Sequence, residues 1–210
     1  KISILWIAVM LVFSALLLVV APGRGAPWIQ DDGLFLLMSW NAANGYGLDR
    51  LLPQAPQYLF HALLMKFGLL EFLYFRYVNY IVILLSSLVF FLGIDPRRFK
   101  SPVVPVAVCL SLLVSLDSIQ NPNSLALAFF LSGTGCYFFS VNATQLARQV
   151  FLFLCGFLFA VAGFMHAAVV VAMLVLIGMI WFVDQSVRKS FLLPGFILFS
   201  ILLWGAYIYA

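Results

Sequence analysis

The sequence contains very little charge. Only 9% of its 210 residues are Asp, Glu, Lys or Arg, whereas 65% are hydrophobic and the mean hydropathy is +1.14. In soluble domains about a quarter of the residues are charged. A chain with so few charges cannot cover a water-exposed surface, which excludes an ordinary soluble enzyme and a disordered segment. The formal net charge of +4 also supplies too little basic surface for a nucleic-acid partner.

Cysteine is scarce, and sequence repeats are absent. Cys109, Cys136 and Cys155 each lie within an apolar run. An odd number of thiols in such surroundings predicts small apolar side chains, not disulfides or a metal site. The sequence contains no internal repeat, low-complexity segment or polar domain. Together with the low charge, these absences predict an all-α fold. We expect a polytopic transmembrane helix bundle whose partners include membrane lipids.

Long apolar runs divide the chain into candidate membrane spans. About 20 apolar residues in a helix cover the roughly 30 Å hydrocarbon core of a bilayer. We predict a single transmembrane domain over residues 1–210, with seven spans at 2–21, 77–94, 103–116, 124–141, 150–165, 167–183 and 191–210. The third and fifth are short enough to stop below one interface or to tilt. Because the sequence starts at Lys1 and stops inside an apolar run at Ala210, we expect it to be incomplete at the C-terminus.

The charges in the loops predict the orientation. If Lys1 is cytoplasmic, alternate loops place seven basic and two acidic residues on the cytoplasmic side, and four basic and five acidic residues outside. Lys and Arg are enriched in cytoplasmic loops. The sequence therefore predicts a multi-pass protein of the inner or plasma membrane with a cytoplasmic N-terminus.

One long connection, residues 22–76, lies on the predicted outer side. Asp31 and Asp32 precede apolar residues at helical spacing that end near Asn44, and acidic side chains favour a helix N-terminus. A second helix is predicted over Gln57–Leu70. We expect both helices to lie along the outer membrane interface. The two carboxylates could cap a helix, act as a general base on an acceptor hydroxyl or amine, or hold a divalent cation.

The order of these features resembles the GT-C superfamily of membrane glycosyltransferases, notably the aminoarabinose and protein O-mannosyl transferases. In that family the first outer loop carries an acidic pair, which here is Asp31-Asp32, and an Arg typically begins the second span, as Arg76 does. The Gln-Asn-Pro-Asn segment around Asn121 is similar to the family's Asp-Pro element. His166 lies at a turn between two spans, where many members have a Lys or a His.

The resemblance implies an activity and a set of roles. Family members transfer a sugar from a polyprenyl-phosphate donor to an acceptor on the non-cytoplasmic side. By position, Asp31 would be the base that activates the acceptor, and Asp32 would orient the acceptor or a cation. Arg76 would face the donor phosphate, since a guanidinium matches an oxyanion in charge and geometry. The other substrate-binding residues implied at the outer side are His61, Lys66, Asn121 and His166.

Two departures from the family bear on metal binding. Leu52 precedes Pro53 where the aminoarabinose-type enzymes have a second acid, and Asn121 and Asn123 stand where an Asp is often found. Both replacements remove carboxylates that a divalent cation would prefer as ligands. We therefore assign no cofactor and no metal ligand, with a divalent cation kept as the alternative.

Two other functions stay open. The segment Gly-Phe-Met-His-Ala-Ala at 163–168, after a helix that starts near Arg148-Gln149, also resembles the EpsG-like polysaccharide polymerases. Those proteins join lipid-linked repeat units outside the cytoplasm. The second alternative is a non-catalytic structural subunit of a larger membrane complex, which the short chain would suit.

The enzyme and the subunit make different structural demands. A transferase requires Asp31, Arg76 and His166 to converge on an outward cavity that is open to lipid. A structural subunit would show Asp31 capping a helix and Arg76 paired with Glu71, without such a cavity.

Overall fold

The computed structural model describes residues 32–45, 55–68, 75–94, 122–184 and 187–209. Within these ranges the secondary structure is helical and no strand occurs, so the all-α prediction is confirmed. The helices are α1 (Asp32–Ala43), α2 (Ala55–Lys66), α3 (Phe75–Gly93), α4 (Pro122–Val141), α5 (Gln145–Met165), α6 (Ala167–Val183) and α7 (Leu192–Tyr209), with a short 3-10 helix at Val187–Lys189. The predicted spans at 2–21 and 103–116 lie outside the described residues.

The helix boundaries follow the sequence pattern closely, with one exception. The predicted spans match four helices to within two residues at both ends: α3, α4, α6 and α7. Helix α5 begins at Gln145 and has 21 residues, so it begins five residues before the predicted span at 150–165. The additional residues include Arg148 and Gln149, whose polarity interrupts the apolar run. Their side chains bond Asp184 and Phe191, which lie just after α6 and just before α7.

Helices α4 and α5 form an antiparallel hairpin joined at residues 142–144. Phe130 stacks on Phe159 with ring centroids 5.5 Å apart, and Phe139 stacks on Phe151 at 5.6 Å. As the residue number rises along α4, the number of its partner falls along α5, which establishes the antiparallel direction. Aromatic contacts therefore hold this hairpin along most of its length.

Helices α5 and α6 form a second antiparallel hairpin, joined by the single residue His166. Near this joint a Cβ at Gly163 would touch the side chains of Val170 and Met173. At the far end of the same hairpin, Arg148 of α5 bonds Asp184, which follows α6. The two helices therefore stay together from the joint to their free ends.

Helix α7 runs parallel to α5. Phe157 meets Phe199 with ring centroids 4.7 Å apart, and Phe164 meets Trp204 at 5.2 Å, so partners advance together along both helices. The buried core centres on α5 and collects side chains from α4, α6, α7 and the short 3-10 helix: Cys136, Leu152, Cys155, Phe159, Ala162, Met173, Ile177, Ile180, Val187 and Leu192. Cys136 and Cys155 are free thiols within this core, in line with their predicted role as small apolar side chains.

Glycines permit a close approach of helix backbones at two contacts. A Cβ at Gly135 of α4 would lie 2.7 Å from the carbonyl oxygen of Val89 in α3, and a Cβ at Gly156 of α5 would lie 2.8 Å from the backbone nitrogen of Phe196 in α7. Backbone atoms cannot move aside as a flexible side chain can. Glycine therefore lets the helix backbones touch here, as small residues do between membrane helices.

Helix length and apolar composition identify candidate spans among the described residues. One helix, α5, is both long and apolar enough to cross a membrane by these two criteria. Shorter apolar segments of 10–17 residues occur at Ile81–Gly93, Leu125–Val141, Val169–Val183 and Leu192–Ala206. Length and composition thus support one membrane crossing directly. For the four shorter segments, the exposure of the apolar side chains has to be considered as well.

We predict that Gly156→Ala lowers the free energy of unfolding by about 1–3 kcal/mol, because the added methyl group would overlap the backbone of α7. Gly178→Ala is the matched control, since no described atom lies within 4 Å of a Cβ at that position. The control should be neutral or stabilising by up to about 1 kcal/mol through helix propensity. Unfolding of the two variants in detergent micelles measures both effects. Equal destabilisation by the two changes would contradict the close α5–α7 contact.

Candidate functional site

The hairpins give the bundle two distinct ends. The Arg148 end contains the start of α5, the end of α6 and the start of α7. The His166 end contains the end of α5 and the start of α6. Helices α1 and α2 pack on each other, and α2 lies nearer the His166 end, because its Phe60 meets Phe129 in the N-terminal half of α4 with ring centroids 6.2 Å apart. Helix α2 therefore lies towards the His166 end, and α1 packs on α2.

Helix α1 begins at the second residue of the acidic pair. It covers Asp32–Ala43, and the predicted helix that ends near Asn44 is confirmed. The Asn44 side-chain amide donates a hydrogen bond to the carbonyl oxygen of Trp40 at 2.8 Å, and Gly45 follows with φ of 76°. Ser39 is fully buried on this helix. Asp31, the predicted base, lies outside the described residues.

Helix α2 presents polar rings to its buried side. It begins at Ala55, two residues before the predicted helix, and ends at Lys66. Gly68, with φ of 67°, follows its last turn. His61 is only 3% exposed and meets the ring of Phe60 edge-on, with centroids 5.4 Å apart. Tyr58, one turn earlier on the same face, is equally buried, and this burial raises the pKa of its phenol above the ordinary value of 10.0.

Sequence reasoning selected His61 but missed Tyr58. The signal that could have found Tyr58 is its spacing of three residues from His61, which places both side chains on one helix face. Lys66 differs from both, since it is exposed in the last turn of α2. A cation in that position is favoured by the negative end of the helix dipole.

His166 forms the joint between α5 and α6 through its backbone. Its N–H donates to the carbonyl oxygen of Ala162 at 3.0 Å, and its carbonyl oxygen accepts from the N–H of Val169 at 3.0 Å. The extended backbone, with φ of −148° and ψ of 113°, turns the chain between the helices. The imidazole is half-buried and makes no capping hydrogen bond to α6. The turn therefore needs the backbone of His166 but not its side chain.

The remaining predicted site residues are only partly described. Arg76 is the second residue of α3, and the other end of α3 lies beside the C-terminal half of α4, where Gly93 meets Gly135. Asn121 lies outside the described residues, as does Asp31, and the side chains of Asp32 and Arg76 lie outside the described part of the structure. The convergence of Asp31, Arg76 and His166 on one cavity therefore stays a prediction.

The Arg148 end is held by an ion pair. Nη2 of Arg148 donates to Oδ2 of Asp184 at 2.8 Å, and the two side chains are 26% and 22% exposed. Gln149 accepts a hydrogen bond from the backbone N–H of Phe191 at 3.2 Å through Oε1. The Arg-Gln pair that suggested a polymerase therefore ties α5 to the ends of α6 and α7. Arg148 and Asp184 are among the charges predicted on the cytoplasmic side, but the sequence alone does not pair them.

Metal-binding potential is low in the described ranges. No group of three or more His, Cys, Asp or Glu side chains that could hold a metal ion occurs there.

We predict that Arg148 and Asp184 are energetically coupled. In a double-mutant cycle of Arg148→Met and Asp184→Asn, the coupling energy should be about 1–2 kcal/mol, because a partly buried charged hydrogen bond is lost in either single variant. Unfolding in detergent micelles measures it. The control cycle pairs Asp184→Asn with Lys66→Gln, because Lys66 is a cation that lies on a different part of the bundle. Coupling that is zero in the first cycle, or equal in both, would contradict the ion pair.

Function has to be argued from the residues of the site themselves. No protein-family model, curated protein or solved structure matches the chain.

Proposed function

We propose that the protein is a multi-pass membrane glycosyltransferase of the GT-C type. It would transfer a sugar from a polyprenyl-phosphate donor to an acceptor on the non-cytoplasmic side of the inner or plasma membrane. The observation that carries the proposal is the placement of α1 and α2. Helix α2 lies towards the end of the bundle that contains His166, and α1, which starts at the acidic pair, packs on α2.

The surface of the bundle supports multiple membrane crossings. Among the described side chains of α6, the buried ones form one stripe of Met173, Ile177 and Ile180. Six other apolar side chains of this helix are more than half exposed: Val171, Leu174, Val175, Met179, Phe182 and Val183. Exposed patches of this size are unfavourable in water, because each buried CH₂ is worth about 0.8 kcal/mol. Lipid tails would cover them at no such cost.

Helix α7 repeats this pattern. Its outward side chains are also apolar and about half exposed or more: Ile197, Leu198, Ile201 and Leu202. Helices α5, α6 and α7 contain 21, 17 and 18 residues. At 1.5 Å per residue they are about 25–32 Å long, close to the roughly 30 Å hydrocarbon core. Each helix therefore suits one crossing, with the one-residue His166 joint at an interface.

The charges at the two ends support a cytoplasmic Arg148 end. Arg148, Arg188 and Lys189 lie there with Asp184 as the acid among the described residues. An excess of basic residues is typical of the cytoplasmic side. The His166 end, with α1 and α2, would then face outward, and the N-terminus would be cytoplasmic as the alternating spans require.

The proposed reaction uses groups of both signs at the outer interface. Asp31 would accept the proton of the acceptor hydroxyl while the oxygen of that hydroxyl bonds to the anomeric carbon of the sugar. The bond from that carbon to the donor phosphate breaks at the same time, and the electron pair leaves with the phosphate. The departing lipid phosphate needs cationic neighbours. Arg76 is the main candidate, with Lys66 and His166 as further donors.

We predict opposite labelling of two positions in intact cells. In a variant lacking the native cysteines, Asn44→Cys should react with a membrane-impermeant maleimide, because α1 and α2 would lie outside. Asn142→Cys, in the α4–α5 connection, should react only after the membrane is permeabilised. Both asparagines are exposed in the structure, so solvent access is matched. Labelling of Asn142→Cys without permeabilisation would reverse the proposed orientation.

We predict that Asp31→Asn abolishes sugar transfer while the protein still inserts and folds, because the amide cannot accept the acceptor's proton. Transfer of labelled sugar from a polyprenyl-phosphate donor, in membranes that contain the full-length protein, measures this. Asp49→Asn removes another acid from the same outer loop and should retain activity. Arg76→Gln should lower transfer by at least about tenfold through loss of phosphate contacts. Full transfer by Asp31→Asn would refute the catalytic assignment.

A further inference from the structure

The connection between α6 and α7 forms a well-anchored turn at the Arg148 end. We define the basic corner as residues 181–184 together with residues 187–191. The Ser190 hydroxyl donates to the carbonyl oxygen of Val187 at 2.6 Å and accepts from the N–H of Leu192 at 3.3 Å. Val187 and Ser190 are almost fully buried. These contacts fix the backbone that carries Arg188 and Lys189.

Arg188 is held in position by the end of α6. It is exposed, and its Nε donates a hydrogen bond to the carbonyl oxygen of Trp181 at 3.1 Å. This bond uses the Nε–H of the guanidinium and leaves the N–H groups of its two terminal nitrogens for other acceptors. The fork geometry of a guanidinium matches two oxygens of a phosphate.

The charge of the basic corner is positive. Asp184 is its acid among the described residues, and Arg148 neutralises Asp184 at 2.8 Å. Arg188 is therefore left without a carboxylate partner among the described side chains, and Lys189 adds a second positive charge next to it. An anion would be attracted to this position by charge and held by the oriented guanidinium.

Exposed apolar side chains belong to the same basic corner as Arg188. Phe182 is 79% exposed, Val183 is 82% exposed and Phe191 is 59% exposed. A phosphate ion from solution would make no use of these side chains. An anionic lipid offers both a phosphate and acyl chains, and basic residues beside aromatic ones at helix ends are typical of the membrane interface.

We propose that the basic corner binds the phosphate headgroup of an anionic phospholipid, with Arg188 as the principal ligand and Phe182, Val183 and Phe191 against its acyl chains. This inference rests on the membrane crossings of the proposed function and not on sugar transfer. The site lies at the opposite end of the bundle from α1 and α2, so it is separate from the proposed donor site.

The structural alternative is that Arg188 serves only to cap the C-terminal end of α6. A cap stabilises the helix in every lipid, since it acts on the Trp181 carbonyl. A lipid ligand instead makes stability depend on the presence of anionic headgroups, because binding to the folded state alone shifts the unfolding equilibrium. The dependence on lipid composition therefore separates the two roles.

The test uses the full-length protein in nanodiscs of phosphatidylcholine, with and without phosphatidylglycerol. Native mass spectrometry measures the phosphatidylglycerol that stays bound, and thermal unfolding measures the stabilisation it gives. Arg188→Gln should lower the apparent affinity for phosphatidylglycerol by about tenfold or more, since it loses the charge and the direct contact. Lys189→Gln is the matched control and should lose no more than about fivefold, through the general field alone.

A second variant covers the case in which Arg188→Gln fails to fold. Arg188→Lys keeps the charge but loses the fork, and its affinity should fall between those of Arg188→Gln and the unmodified protein. Inorganic phosphate added to phosphatidylcholine nanodiscs should give no stabilisation.

The inference would be overturned by equal losses of affinity in Arg188→Gln and Lys189→Gln, or by stabilisation from inorganic phosphate equal to that from phosphatidylglycerol. An Arg188→Gln destabilisation that is the same in both lipid mixtures would also overturn it. Integration into phosphatidylcholine nanodiscs without a preference for phosphatidylglycerol would refute the lipid site alone. Failure to integrate into any nanodisc would refute the membrane crossings themselves.

Discussion

The packing of α5 against its neighbours is the contact on which the rest of the bundle depends. Its Gly156 lets the backbone of α7 approach to contact distance, and its Phe159 ring stacks on Phe130 of α4. The His166 joint and the Arg148–Asp184 pair attach α6 at both ends of α5. A single central helix thus sets the directions of three others, and those directions define the two ends of the molecule.

The two ends of the bundle differ in their residues. Basic residues and one paired acid gather at the Arg148 end, whereas His166 forms the other end, towards which α2 lies. An apolar bundle between two polar ends suits a bilayer, because charges are costly in hydrocarbon unless they are paired. Sugar transfer at one interface and lipid contact at the other would use the same bundle without competing for residues.

The burial of polar rings on α2 distinguishes this helix from a simple interfacial element. A helix lying on a membrane surface usually keeps its polar side chains towards water. Here His61 and Tyr58 turn inward, and Lys66 remains exposed at the helix end. Burial of a titratable ring costs free energy unless the ring makes compensating contacts. We therefore expect a polar site near the outer interface to be formed by the inward face of α2.

The sequence by itself determined the class, the helices and most of their ends, because apolar runs, Gly and Pro act locally. It predicted α1 from the acidic pair and Asn44, and α6 at its observed bounds. It could not determine which faces meet. Since α6 is apolar on all sides, its pattern does not show that Met173 and Ile177 point inward. Only the tertiary structure paired Arg148 with Asp184, 36 positions away, and placed Gly156 against α7, because such contacts depend on how separate helices are oriented in space.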